Sequence, residues 1–313
     1  MGKIFCLGVT PALQRTLLFT RLQSNAVNRA CEVHLSPAGK SVNTAYALVR
    51  LGCEAVTSGF NGGGTGAEVV RLLEEAGVES RLTPISGATR ICSTLLDRST
   101  GSVTELVEEA PPVSGAECAR FQGEALSLIR QASALVISGT LPKFLPVDFY
   151  VPFILAARER DLPLLIDSHG AALLAALPAA PLIVKMNFQE LQTSCGRSPL
   201  SSESETLRAL YDLQGRGAQN LLVTQGGETA YLLERGGGWR FTPPRLEGVL
   251  NPIGSGDSVS AGLMARLLAG DSLREAVRFG LACGAANAET LLPAHFKAER
   301  AEELVSCIDV SRL

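Results

Sequence analysis

Histidine is scarce in this chain of 313 residues, with three copies at positions 34, 169 and 295. They stand too far apart for any metal-ligand spacing, so a histidine-built metal centre is not expected. Cysteine occurs eight times, at positions 6, 31, 53, 92, 118, 195, 283 and 307, without a single C-x-x-C pair. Such scattered thiols read as reduced, small core hydrophobes rather than a zinc or redox site. The chain has no clustered Lys/Arg run and its net charge is −3, which excludes an extended nucleic-acid or membrane-surface footprint but leaves room for small anions at local sites. No apolar stretch runs for the roughly 20 residues of a membrane span without Gly, Pro or a charge. The opening run, residues 1–9, is too short for a signal peptide, and Cys6 stands where a myristoylation motif needs Ser or Thr. It reads as a first strand, and the protein is expected to be soluble and cytoplasmic.

What the chain does have is apolar residues, 46% against 19% charged, which excludes disorder and allows a large core. Short apolar runs at 4–9, 55–60, 134–138, 162–167, 182–185 and 221–224 alternate with helical patterns at 42–51, 68–76, 117–131, 148–158 and 203–216. Strands apolar on both faces, separated by helices, predict a doubly wound α/β fold with a mostly parallel sheet covered on both sides. Residues 13–36 and 89–107 break the rhythm with strand patterns that lack an intervening helix. They are expected to form a small antiparallel sheet, a lid over the strand ends, the alternative being an edge hairpin with no gating role. A hairpin is expected at 230–234 and 239–242 around the glycines at 236–238. With no repeat or long linker, residues 1–313 read as one domain carrying this lid.

Chemistry concentrates in Asn251-Pro-Ile-Gly-Ser-Gly-Asp-Ser258, which leads into an apolar helical run at 259–268. The free N–H groups of a helix start and its dipole make an anion site, and Gly254 and Gly256 let a phosphate come close. Asp257 there either caps the helix or takes a proton from a hydroxyl that attacks the bound phosphoryl group. Gly39-Lys40-Ser41 matches the end of a Walker A loop, but that motif requires glycine where His34 stands. A second helix start fits better, with Gly39, cationic Lys40 and the Asn43 amide turned to a polyhydroxylated ligand, or else a plain Ser-capped helix. Asn187 and Glu190, three apart after an apolar strand, can face Mg²⁺ or its waters or form a capping box. Thr224-Gln-Gly-Gly227 offers backbone to phosphates or a ribose, or is only a turn. Arg90, and Arg29 on an earlier accessory strand, could aim guanidinium groups at a substrate phosphate, or be solvated surface charges.

In this order the motifs resemble the ribokinase/PfkB family of carbohydrate kinases over nearly the whole chain. Gly39-Lys40 with Asn43 matches its first signature and Gly254-Ser-Gly-Asp257 its second. Thr10-Pro-Ala-Leu13, Val27-Asn-Arg29, Ser138-Gly-Thr-Leu-Pro142, Ile166-Asp-Ser-His-Gly170, Lys185-x-Asn187-x-x-Glu190 and Thr224-Gln-Gly-Gly227 are most similar to the branch of 1-phosphofructokinase and tagatose-6-phosphate kinase. The resemblance implies that Asp257 is the general base and that the N–H groups of Gly254, Ser255 and Gly256 form an anion hole. It further implies that Asn187 and Glu190 organise Mg²⁺ through waters, and that Thr224, Gly226, Gly227 and Ser258 belong to the ATP site. Gln14, Gly39, Lys40, Asn43, Arg90 and Arg29 would contact substrate. A monovalent cation is an optional further cofactor, and a homodimer through the lids the expected assembly.

Two positions depart from the family pattern. Gln14 replaces the carboxylate that grips sugar hydroxyls, and Ala38-Gly-Lys-Ser41 replaces Gly-Gly-Lys-Gly, adding two side chains where backbone should approach the sugar. Transfer of the ATP γ-phosphoryl to a phosphorylated ketohexose, fructose 1-phosphate to fructose 1,6-bisphosphate, is the expected reaction. Tagatose 6-phosphate or another sugar is the alternative acceptor, and a non-catalytic sugar-phosphate-binding protein the alternative of another class.

Overall fold

The apolar runs are buried on both sides. In β1 (Ile4–Leu7), Ile4 and Cys6 enter one apolar layer while Phe5 and Leu7 enter the other. The same alternation holds in β8 (Ala134–Ser138), with Ala134 and Val136 on one side and Leu135 and Ile137 on the opposite one. A period of two with both sets apolar is what a sheet sandwiched between helix layers demands. The computed structural model describes residues 2–196 and 200–313. Met1, with which the expected first-strand segment opens, lies outside them.

Seven strands of the main sheet run parallel, with β1 and β8 at its centre. On one side of β1 lie β4 (Ala55–Asn61) and β5 (Glu79–Pro84). Beyond β8 come β9 (Leu164–Asp167), β10 (Ile183–Asn187) and β11 (Asn220–Thr224). Three antiparallel strands extend the sheet past β11, namely β12 (Ala230–Glu234), β13 (Gly237–Thr242) and β14 (Asp309–Arg312). The expected hairpin is β12–β13. Strands β5 and β14 leave no apolar run in the sequence, because each is an edge strand and only partly buried.

One helix layer contains α1 (Lys40–Arg50), α2 (Gly63–Glu75), α8 (Ser255–Leu268), α9 (Leu273–Ala288) and α10 (Ala298–Val305), which share the apolar layer of Ile4 and Cys6. The other contains α3 (Gly115–Ile129), α4 (Val151–Arg158), α5 (Gly170–Ala176), α6 (Phe188–Cys195) and α7 (Glu203–Gly215). Helix α4 begins at residue 151 rather than 148, and α2 at 63 rather than 68. Helices α8 and α9 touch backbone to backbone, since a Cβ on Gly280 would lie 2.6 Å from the Val259 carbonyl oxygen. That contact fixes the approach of α8 to the sheet.

A second, four-stranded sheet is inserted in two pieces, one pair of strands between β1 and α1 and the other between β5 and α3. It comprises β2 (Ala12–Phe19), β3 (Glu32–Ala38), β6 (Ile91–Asp97) and β7 (Ser102–Val107). Its two outer pairs are antiparallel as expected, whereas the central pair β2–β6 is parallel. The long excursion through α1, β4, α2 and β5 returns the chain in the same direction as β2. Cross-strand register puts Val33, Leu17, Leu95, Leu35 and Leu106 on one face. The opposite face carries Gln14, Thr16 and Thr94, all buried.

Candidate active site

The turn into α8 is built around Gly254. Its φ of 81° is left-handed, and a Cβ there would meet Pro293 at 2.7 Å, so glycine is required twice over. The N–H and the hydroxyl of Ser258 both donate to the Gly254 carbonyl at 2.9 Å. The Ser255 N–H donates to Pro252 O at 3.1 Å. Of the amides expected to form an anion hole, Ser255 is therefore engaged within the turn. Among the described residues, the Gly254, Gly256 and Asp257 N–H groups have no such internal partner. Ser258, expected at the nucleotide, is fully buried and its hydroxyl locks the turn instead.

Asp257 does not cap α8. Gly254 is the N-cap, no side chain caps the helix, and Asp257 sits inside the first turn, 6% exposed, accepting a hydrogen bond from Asn43 Nδ2 at 2.7 Å. Asn43 comes from α1, whose start is likewise set by a glycine. Gly39 has φ 114°, its N–H neighbours are uncapped by any side chain, and a Cβ there would lie 3.0 Å from Thr10 O. The Ser-capped alternative for this helix is thereby excluded. Ser41 is buried, with its Oγ 3.4 Å from the donating Thr57 hydroxyl, and Ala38 packs with Ala12 and Cys92. Of the two side chains that depart from the family pattern, Ser41 is absorbed between α1 and the main sheet and Ala38 within the small sheet, so they do not crowd the space beside Gly39.

Two lysines and two further acids complete a buried charge cluster. Lys40 Nζ donates to Asp167 Oδ1 and to Glu190 Oε1, each at 2.9 Å, and Lys185 Nζ donates to Asp167 Oδ2 at 2.6 Å. Asp167, at the C-terminal end of β9, is the cross-strand partner of Lys185 in the middle of β10. A Cβ on Gly256 would stand 2.8 Å from Lys185 Nζ, so this ammonium lies against the glycine turn. Burial raises Asp257 to a pKa of about 6, reinforced by the charge of Asp167 and opposed by Lys40, Lys185 and the Asn43 amide. Burial also acts to raise Asp167, but Lys185 and Lys40 prevail and hold it below its ordinary value. Glu190 is likewise pulled well down against burial by His169, Lys40 and the Asn187 N–H. Burial opposes the charge on Lys40, yet the carboxylates of Asp167, Glu190 and Asp257 keep it firmly protonated.

Asn187 and Glu190 form the capping box of α6, with Asn187 Oδ1 accepting from the Glu190 N–H and Glu190 Oε2 from the Asn187 N–H, both at 2.8 Å. The adjoining Thr224 pairs in register with Asn187, and Gly226 and Gly227 have open space around them. Arg90 is anchored near Gly39, donating to Thr10 O and Glu108 O at 3.2 Å each, while its buried Nε has no partner among the described residues. Gln14 donates to Thr94 Oγ1 at 2.7 Å on the covered face of the small sheet. Arg29 is not on a strand: it lies exposed between β2 and β3 and makes no ion pair among the described residues. Asp167, Lys185 and His169, whose Nδ1 is 3.3 Å from Glu190, were not singled out from the sequence as site residues. The available signal was a charged residue closing an apolar run, at 167 and again at 185.

The cluster thus sets a buried carboxylate and a lysine beside the start of α8 at the C-terminal edge of a parallel sheet, where doubly wound proteins bind ligands. Residues 1–296 match the sequence profile of the pfkB family carbohydrate kinases. The chain belongs to this family. As a pfkB carbohydrate kinase it is an enzyme, and solved structures share its fold from end to end. Phosphofructokinase-2 from Escherichia coli in complex with fructose-6-phosphate is 25% identical, with 98% of this chain and 99% of that chain covered and a TM-score of 0.87. The same enzyme in complex with potassium gives 24% identity over 98% and 99% of the two chains, with a TM-score of 0.89. A possible 1-phosphofructokinase from Thermotoga maritima gives 21% identity over 99% of both chains and a TM-score of 0.91. Among the described residues, no helix is long and apolar enough to cross a membrane.

Proposed function

We propose that this carbohydrate kinase transfers the ATP γ-phosphoryl group to a hydroxyl of a phosphorylated ketohexose, in the manner of 1-phosphofructokinase, converting fructose 1-phosphate to fructose 1,6-bisphosphate. The observation that carries this reading is Asp257, a buried uncapping carboxylate hydrogen-bonded to Asn43 and poised to titrate near pH 6. The substrate hydroxyl oxygen attacks the γ-phosphorus in line, its proton passes to Asp257, and the bond to the β-phosphate oxygen breaks. The N–H groups at Gly254, Gly256 and Asp257, with Lys185 beside them, stabilise charge on the transferring group. Lys40, fixed by Asp167 and Glu190, and Arg90, whose Nε has no partner among the described residues, support recognition of an anionic sugar. Arg29 is left out of the single-chain site.

The donor set suits a magnesium ion that arrives with the nucleotide and keeps its waters. No three acids, histidines or cysteines cluster as a metal cage among the described residues, and with Asp257 ionised the cluster carries one net negative charge. A bare polyphosphate would be repelled there, and Asn187 and Glu190 are the residues placed to hold the ion's waters. Bound Mg²⁺ would neutralise charge on the phosphates. The small sheet is read as a lid within a single domain, and Val33, Leu35 and Leu106 on its outer face are exposed, which suits pairing with the lid of a second copy.

An ATP-consumption assay over a panel of sugars and sugar phosphates tests the assignment. Fructose 1-phosphate should give the highest kcat/KM, and a higher value for an unphosphorylated sugar would refute it. Leu106→Glu should convert a dimer to monomer by light scattering, and an unchanged mass would refute the lid interface.

A further inference from the structure

Two asparagines with no place in the reaction so far hold the turn that carries it. Asn287, on the last turn of α9, is completely buried, and both atoms of its amide are hydrogen-bonded. Its Oδ1 accepts from the Ala294 N–H at 2.6 Å, and its Nδ2 donates to Ile253 O at 2.9 Å and to Ser255 Oγ at 3.0 Å. Asn251, 1% exposed, works in the opposite direction across the same seam. Its Nδ2 donates to Leu291 O at 2.9 Å and its Oδ1 accepts from the Ile253 N–H at 3.1 Å. Between them the two amides stitch residues 251–255 to residues 291–294. Pro293, in that second segment, is the residue against which Gly254 packs, and Ala294 beside it holds a left-handed φ of 61° that needs outside support.

The same hydrogen bonds decide how the seam deals with cations. A monovalent cation bound by backbone needs several carbonyl oxygens free to converge on it. Here the Ile253 and Leu291 carbonyls accept the asparagine amides, Pro252 O accepts the Ser255 N–H, and Leu292 O accepts the His295 N–H at 3.3 Å. His295 Nδ1 lies 2.8 Å from Pro293 O. No acid occurs in residues 250–256 or 290–296. With these carbonyls already turned to hydrogen-bond donors and no carboxylate between them, the donor set flanking the turn is a poor fit for a monovalent ion.

The geometry points to Asn251 and Asn287 as positioning residues that hold the phosphoryl cradle of Gly254, Gly256 and Asp257 in place by amide hydrogen bonds, so that catalysis runs without a monovalent cation. The proposal rests on phosphoryl transfer at this turn. Asn287→Asp, which keeps the acceptor for Ala294 but loses the donor to Ile253 and Ser255, tests it, with Asn251→Ala as a second variant. Each is assayed with ATP and the best sugar of the panel, in potassium and in tetramethylammonium buffers, alongside hydrogen exchange of the substrate-free enzyme. Wild-type turnover should agree within about twofold between the two buffers, and stimulation by potassium of about fivefold or more would overturn the cation-free reading. In tetramethylammonium each variant should lose about tenfold or more in kcat with KM for ATP changed less than about threefold. Amides of residues 251–258 should exchange faster while those of β1 and β8 do not. Unchanged kcat, or unchanged exchange at 251–258, would overturn the positioning role. The exchange measurement needs no substrate, so an error in the assigned sugar shows itself separately.

Discussion

Replacing Asp257 by asparagine should make the protein more stable and catalytically idle. The carboxylate is raised from its ordinary 3.8 to about 6. A shift of that size corresponds to about 3 kcal/mol by which the folded protein disfavours the charged form relative to the neutral acid. Folded pKa above unfolded pKa means that, between pH 4 and 6, the native state keeps a proton the unfolded chain has released. Stability is therefore lost as pH rises through that window, and the whole cost is in place above pH 6. Asparagine removes the charge while its Oδ1 can still accept from Asn43, so Asp257→Asn should gain about 1–3 kcal/mol at pH 7.5, a rise in Tm of about 2–4 °C for a chain this long. At pH 4 the two proteins should melt together. Turnover should fall by at least about 10²-fold with the base removed, and wild-type kcat/KM should drop about tenfold per pH unit below pH 6 as Asp257 takes up its proton. Urea and thermal melts at both pH values, with a pH–rate profile, make the check. A variant less stable than wild type at pH 7.5, or a stability difference that does not shrink on acidification, would refute the electrostatics from which the base is argued.

The buried cluster around Asp167 makes the converse case. Asp167→Ala leaves Lys40 and Lys185 facing each other without their shared acceptor, and should cost about 3–5 kcal/mol in a urea melt; a loss below about 1 kcal/mol would show that water already screens the pair. Arg90→Ala should raise KM for fructose 1-phosphate far more than KM for ATP in steady-state assays, and equal effects would remove Arg90 from substrate recognition. Gln14→Asp, which restores an anionic acceptor for sugar hydroxyls next to Thr94, should raise kcat/KM on fructose 1-phosphate; no gain on any ketohexose phosphate would show that Gln14 is not what sets the acceptor.

Sequence legibility tracked how local the underlying physics is. Strands β1, β4 and β8 to β11 announced themselves because both their faces are buried, so every position is under the same demand for apolar residues. The edge strands β5 and β14 are only partly buried, with Leu82 and Val310 against the core, and left no mark. The small sheet could be recognised from its β-branched runs, but not its parallel centre, since pairing direction depends on where the chain has been between β2 and β6. At the site, the glycine turn before Asp257 and the Asn187–Glu190 box are each written within four residues, so both could be seen, although their two meanings could not be separated. The structure separates them for Asp257, which is no cap, and shows the box at Asn187 to be formed.

What stayed hidden was every contact made at long range. Lys40 reaches Asp167 across 127 positions, and Asn43 reaches Asp257 across 214. No periodicity encodes such a pair, because its two halves are placed by different elements: α1 brings Lys40 and Asn43, the end of β9 brings Asp167, and α8 brings Asp257. Yet these contacts set the chemistry. With Asn43 and the two lysines, Asp257 stays close enough to neutrality that it can be ionised at working pH. With Asp167 beside it, and little water, it is not so comfortable as an anion that it would refuse a proton. A cap at a helix start would have been stabilised as an anion by the same N–H groups that here remain for phosphate, and its pKa would have moved the other way. Burial inside the first turn of α8, three residues past the Gly254 cap, is what fits this carboxylate for the proposed role of base.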